Sequence, residues 1–199
     1  RSIPIWPGSK HNLSEVISTL TSESHIFALY KRLRNLDFKS DHKVQGYAIS
    51  LASSADEYSV TLTFGQNIRV MGKVSMPSRT HTGPYWVIFL ITEPKDGSGY
   101  FEPVRASLWP AYSETLPFPV DSDPERHTFK ELLSWRLYWQ GKGESFTIAK
   151  PLDFSSRVRP DFLVIDPDSG NTVVIETMGS EDDNYLSNKI ICRNRIAKK

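Results

Sequence analysis

Ile26, Leu29, Tyr30, Leu33 and Leu36 recur three and four residues apart, which predicts one apolar helical face within residues 12–36. Asn12 or Ser14 is placed to cap a first piece of that helix, and Ser22 or Ser24 a second. Downstream the pattern changes. "VQGYAISLA" (44–52), "YSVTLTFG" (58–65) and "IRVMGKV" (68–74) are short apolar runs rich in β-branched and aromatic residues, separated by turn formers, and they predict a meander. "YWVIFLITE" (85–93) and "YFEPVRASLWP" (100–110) flank the turn-like "KDGSG" (95–99) and predict a hairpin, in which Pro103 suits an edge or a bulge.

At "AYSETLPFPVDSDP" (111–124) periodicity stops and three prolines gather, as in a linker. A helix follows, with Asp123 as expected N-cap, Pro124 at the first helical position, Glu125 in the first turn and Gly141 at its end. Phe129, Leu132, Leu133 and the segment from Trp135 to Trp139 are expected to supply its buried face. Strands are predicted at 145–152, 160–166 and 172–178, then a last helix from about residue 181, with Asp182 and Asp183 near its positive pole. The expected class is α+β. A mostly antiparallel β-rich part with a leading helix (1–115) precedes a C-terminal α-β-β-β-α core (121–199).

Composition narrows the options. The chain has 199 residues, 39% hydrophobic and 24% charged, which are ordinary globular values. A net charge of +1 conceals a basic tail, since residues 185–199 carry Lys189, Arg193, Arg195, Lys198 and Lys199 and no acid. Such a tail suits either an anion such as a phosphate backbone or simply a helix C-terminus. Cys192 is the only cysteine, which excludes an intrachain disulfide and a cysteine-based zinc site. The longest apolar run, residues 85–91, is too short to span a bilayer. No signal peptide is visible, so a cytoplasmic location is expected, and a chain opening on Arg1 reads as a segment of something longer.

Candidate chemistry lies in "RPDFLVIDPDSGNTVVIETMG" (159–179). The turn "DPDSG" (166–170) sets its two apolar runs antiparallel, so Asp161 at the start of one lies beside Glu176 at the end of the other. Two adjacent carboxylates repel unless a cation intervenes, and a hard divalent ion satisfies both. Glu125, on the preceding helix, is the third acid of the set.

A helix with Glu125, then Pro160-Asp161, then an apolar strand closing on Glu176 resembles the PD-(D/E)xK restriction-endonuclease-like nucleases over residues 121–199. The resemblance implies metal-dependent hydrolysis of phosphodiesters in DNA, with Mg²⁺ or Mn²⁺ as cofactor. Asp161, Glu176 and Glu125 would be the metal ligands, joined by the Thr177 carbonyl. The sequence departs from the pattern at Met178, where the family carries lysine. Lys189, four residues after Tyr185 on the expected last helix, is the leading replacement, and Lys150 is the second. A Y-x-x-x-K helix after the acidic strand is also similar to nuclease-like proteins of plasmids and other mobile elements. Arg157, Arg159, Arg193 and Arg195 would grip flanking phosphates, which sets affinity and salt dependence without reading sequence. The alternative is an inactive nuclease-fold module that binds nucleic acid or a protein, and the N-terminal part offers a protein partner a surface in either case.

Other chemistries lack support. The five histidines show no metal-ligand spacing, and His127 reads as a surface residue. Trp135 and Trp139, one turn apart, and Trp86, in an apolar strand, read as core. No phosphate-binding Gly-rich loop and no serine-hydrolase elbow occurs. The sequence leaves the oligomeric state and the strandedness of a substrate open.

Overall fold

The computed structural model describes residues 13–36, 44–76, 82–93, 101–151, 159–179, 182, 186, 187 and 190. The chain divides into two compact units, Arg1–Pro119 and Val120–Lys199. Both combine helices with mostly antiparallel sheet, which is the expected α+β class.

In the first unit a single helical turn, α1 (Leu13–Val16), runs into β1 (Ile17–Thr19) before α2 (Glu23–Arg34). The expected first helical piece is therefore one turn of helix that gives way to a strand. β-branched Val16, Ile17 and Thr19 favour extended backbone, and β1 lies parallel on the segment Tyr47–Ile49. The helix α2 begins after Ser22, as its spacing predicts, and buries Ile26, Leu29 and Leu33.

Six strands follow: β2 (Gln45–Ala55), β3 (Ser59–Leu62), β4 (Asn67–Arg69), β5 (Lys73–Ser75), β6 (Tyr85–Thr92) and β7 (Glu102–Pro110). Their order is β4-β3-β2-β6-β7-β5, with β1 added beside β2. Strict alternation along β6 buries Tyr85, Val87, Phe89 and Ile91, and these join the α2 side chains in one apolar cluster.

The expected strand 68–74 is broken, and the meander with it. β4 and β5 sit at opposite ends of the strand order although only residues 70–72 separate them. Six strands laid flat would hold those edges about 24 Å apart, whereas the link reaches at most ~14 Å. The sheet must therefore curl until its edges meet, as in a barrel. The junction is visible in two adjacent amides: Val70 N donates to Tyr58 O at 2.8 Å, and Met71 N donates to Pro103 O at 2.9 Å. Gly72 permits the crossing, because a Cβ there would stand 2.3 Å from the Val104 carbonyl oxygen. Across the hairpin Trp86 pairs with Trp109, and the half-buried Trp86 ring, expected in the core, donates its Nε1–H to Pro117 O at 2.7 Å.

The second unit begins with α3 (Asp123–Gln140). Its N-cap is Ser122, one residue before the expected Asp123, and Ser122 Oγ accepts from Glu125 N at 3.3 Å. Glu125, Phe129 and Leu132 are the buried positions. The expected burial of Trp135 to Trp139 is overturned: Trp135 is 60% exposed, Leu137 70%, Tyr138 57% and Trp139 39%. Only the first half of α3 packs on the sheet. Strands β8 (Thr147–Ala149), β9 (Phe162–Ile165) and β10 (Thr172–Ile175) follow, antiparallel in the order β10-β9-β8. Leu186 N donates to Asp182 O at 2.9 Å, a helical bond within the expected last helix, most of which lies outside the described residues.

Candidate functional site: a strand-end carboxylate pair backed by a buried ion network

The β9–β10 turn decides how the acids meet. Asp166 O accepts from Gly170 N at 2.9 Å, and Gly170 takes φ +71°, which its missing Cβ tolerates. Hydrogen bonds from Ser169 Oγ and then the Asp168 amide hold the Asp166 carboxyl below its ordinary range, so this acid serves the turn. The turn fixes a register in which Ile175 faces Phe162. One residue further along each strand, Glu176 comes opposite Asp161. Thr177 N donates to Asp161 Oδ2 at 2.7 Å, which fastens the two strand ends together. Glu176 Oε1 is withdrawn from solvent. Thr177 is buried and its hydroxyl donates to Thr128 Oγ1 on α3 at 3.1 Å, while Met178 is 53% exposed.

Glu125 lies in the first turn of α3 and is buried. The N–H of Asp121 donates to Glu125 Oε2 at 2.9 Å, and Lys150 Nζ donates to the same oxygen. Lys150 follows β8, where Ala149 faces Leu163, so it comes level with Phe162. Its amine sits 5.4 Å from the Phe162 ring centroid, and that ring stacks on Phe129 of α3 at 5.9 Å. Lys150 is thus packed between helix and sheet, with its side chain only 2% exposed. A second acid reaches it: Asp121 Oδ2 accepts from Lys150 Nζ at 2.9 Å and from Arg159 Nη2 at 2.5 Å.

Burial pushes the Glu125 carboxyl above its ordinary value. The Lys150 hydrogen bond and the Asp121 amide pull the other way, and the Asp161 charge adds to the rise. Glu125 is therefore electrostatically coupled to Asp161 as well as bonded to Lys150. Among the described residues, no group of three or more His, Cys, Asp and Glu side chains gathers so as to hold a metal ion.

The structure thus brings Asp161 to Glu176 across the hairpin, and Glu125 to Lys150 behind them. Arg159 is engaged by Asp121. Lys189, Arg157, Arg193 and Arg195 lie outside the described residues. His127 is exposed, as expected. Asp121 had no signal in the sequence, because its role depends on Lys150 and Arg159 folding back onto the start of α3. No described helix is long and apolar enough to cross a membrane.

Comparison with known proteins matches this division of the chain. Residues 121–198 match the family described as a restriction endonuclease-like C-terminal domain. Residues 2–111, more than half of the chain, match a domain of unknown function, DUF8535. An Escherichia coli relative, described as an uncharacterized protein in the cib 5′ region, is 35% identical over 147 residues, which is 62% of this chain and 64% of that protein. The match therefore spans somewhat less than two thirds of the relative's length. No solved structure matches the chain. With its barrel-like N-terminal sheet inside one family match and its carboxylate hairpin inside the other, the chain belongs to the DUF8535 family and carries a restriction-endonuclease-like domain over residues 121–198.

Proposed function

We propose that the second unit is a divalent-metal-dependent nuclease that hydrolyses phosphodiester bonds in DNA. The observation that carries this reading is the Thr177 N–H to Asp161 bond of 2.7 Å, which holds Asp161 at the strand end bearing Glu176. The donor set fits the metal: two carboxylates and the Thr177 carbonyl are hard oxygen donors, and Mg²⁺ keeps several waters when it binds one or two carboxylates. When bound, Mg²⁺ or Mn²⁺ supplies Lewis-acid polarisation and a water of lowered pKa.

The chain's own residues divide the remaining work. Asp161 and Glu176 hold the ion. Glu125, neutralised by Lys150 within the fold, supports Asp161 from behind rather than joining the ligand set. Lys150 is too enclosed to meet a phosphate, and Met178 carries no charge, so the cationic role falls to Lys189. Arg157, Arg193 and Arg195 contact flanking phosphates, which makes binding salt-dependent. Barrel residues of the first unit offer a surface for a protein partner.

Met178, exposed in the position where the family pattern has lysine, favours one second reading: a nuclease-fold module that binds DNA or a protein without cutting. Incubation of the full chain with plasmid and with single-stranded DNA, in Mg²⁺ or Mn²⁺, separates the two. Cleavage that chelation, Asp161→Ala and Glu176→Ala each abolish is the expected result. Salt-sensitive DNA binding with no cleavage in either metal would establish the second reading instead.

A further inference from the structure

We propose that Asp121 is the positioning residue of the carboxylate site: it sets where Asp161 enters β9 by clamping Arg159 and Lys150 to the start of α3. The proposal deepens the nuclease reading and rests on it only for the metal, not for the geometry.

One oxygen, Asp121 Oδ2, accepts from two cations on different segments, Lys150 at 2.9 Å and Arg159 at 2.5 Å. The backbone of the same residue donates to Glu125 at 2.9 Å, so Asp121 is tied to α3 through its backbone and to the two cations through its carboxylate. Lys150 reports the position of the β8 terminus, because it follows Ala149 directly and is enclosed against Phe162. Arg159 reports the position of Asp161, two residues on. Pro160 stands between them with its φ locked, and it restricts Arg159 to extended backbone. Anchoring the Arg159 head group therefore limits where the Asp161 carboxylate can point. From the other side, Thr177 N holds Asp161 at 2.7 Å. The carboxylate is gripped from both directions, by the β10 end and, through the Arg159 side chain and the restricted Arg159–Pro160 backbone, by Asp121.

This assigns Asp121 a purpose that stability alone does not explain. A part-exposed carboxylate, at 41%, adds little as a surface ion pair, yet it holds together the ends of three segments around Asp161. Outer partners that orient metal-binding carboxylates characteristically change metal affinity about 10–100-fold when removed.

The test uses the full chain and two readouts. In amide-resolved NMR without metal, the Thr177 resonance reports its bond to Asp161. Asp121→Asn is expected to move that resonance as far as Asp161→Asn does, while amides of the first-unit barrel stay in place. Asp121→Glu, which keeps the charge, is expected to restore most of it. Arg159→Gln breaks the same clamp from its other end and is expected to reproduce the shift, which keeps the test open should Asp121→Asn fail to fold. In Mn²⁺ titration, Asp121→Asn is expected to weaken binding about tenfold, with Asp161→Ala abolishing it. An unmoved Thr177 resonance in both folded variants overturns the positioning role. Absence of Mn²⁺ binding by the unaltered chain overturns the nuclease reading instead, and the Thr177 shift still decides the role of Asp121.

Discussion

The two units bury different things. The barrel-like sheet of the first unit closes on a cluster of aliphatic and aromatic side chains, and Ser50, the one buried polar residue among its described residues, is satisfied by donating to Leu20 O at 2.8 Å. In the second unit the described buried polar residues are Glu125, Lys150 and Thr177, all within the candidate site. Apolar burial stabilises without direction, in proportion to area. Charge burial is costly unless each group is paired, but it fixes which groups face each other. The first unit is thus built for stability, and the second trades some of it for a defined arrangement of carboxylates.

The largest test of that contrast compares Phe89→Ala with Lys150→Met. Phe89 is 1% exposed, and its truncation is expected to cost about 3–5 kcal/mol by transfer and cavity terms. Lys150→Met keeps the volume but strands Glu125 as an uncompensated buried charge, also about 3–5 kcal/mol. The two losses differ in their cure. Adding Glu125→Leu to Lys150→Met should recover most of the stability, since a buried pair replaced by apolar residues is often neutral to ~1–4 kcal/mol stabilising. Urea midpoints of the single and double variants measure this. A double variant no better than Lys150→Met would mean that the pair acts by packing rather than by charge.

Next in size is Gly72→Ala at the barrel junction. Its Cβ would meet the Val104 carbonyl oxygen at 2.3 Å, a backbone atom that cannot rotate away. The expected loss is about 1–3 kcal/mol, as for other overpacked sites. Hydrogen exchange should locate the loosening at the Met71 amide, which donates to Pro103 O. A stable variant with full protection there would show that the edges meet less tightly than the hydrogen bonds indicate.

The two units were also unequally legible. The acidic hairpin could be read from sequence because "DPDSG" specifies a tight turn, and a tight turn specifies register. From that register alone Asp161 meets Glu176. The central strands β2, β6 and β7 were equally clear, since runs rich in β-branched and aromatic residues between turn formers leave little choice. The parallel pairs β1–β2 and β5–β7 were not. Each joins a three-residue strand to a partner distant in sequence, and neither has a turn to announce it. Reading residues 68–74 as one strand failed for that reason: the break at residues 70–72 follows from the approach of Val104 to Gly72, which has no local signal. Lys150 was recognisable as a candidate cation, but its enclosure and its pairing with Asp121 and Glu125 depended on three segments converging.

A smaller effect tests the electrostatics of Glu125 directly. Its folded carboxyl titrates above the ordinary glutamate value of 4.5, chiefly through burial. The folded state therefore keeps the proton to higher pH than the unfolded chain does. The contribution of Glu125 to stability is full below about 4.5 and is lost as pH rises through the folded value. Glu125→Gln cannot titrate. Compared with that variant, the unaltered chain should gain stability on acidification from pH 7 to pH 4, as read from urea midpoints at each pH. A difference that stays flat across this window would mean that Lys150 and the Asp121 amide fully offset the burial.

The smallest expected effect belongs to Trp135. Its spacing with Trp139 is that of a core stripe, yet its ring is 60% exposed. Tyr138 and Trp139 instead carry the Lys142 ammonium, 4.4 and 5.5 Å above their ring centroids. Little area is removed from water at Trp135, so Trp135→Ala should change stability by no more than about 0.5 kcal/mol, as for other exposed positions. Phe129→Ala, two turns earlier on the same helix, should cost about 3–5 kcal/mol. The ratio between the two locates the point along α3 at which the helix stops packing on its sheet. If Trp135→Ala proved as damaging as Phe129→Ala, the packed face would extend into the last turns of the helix.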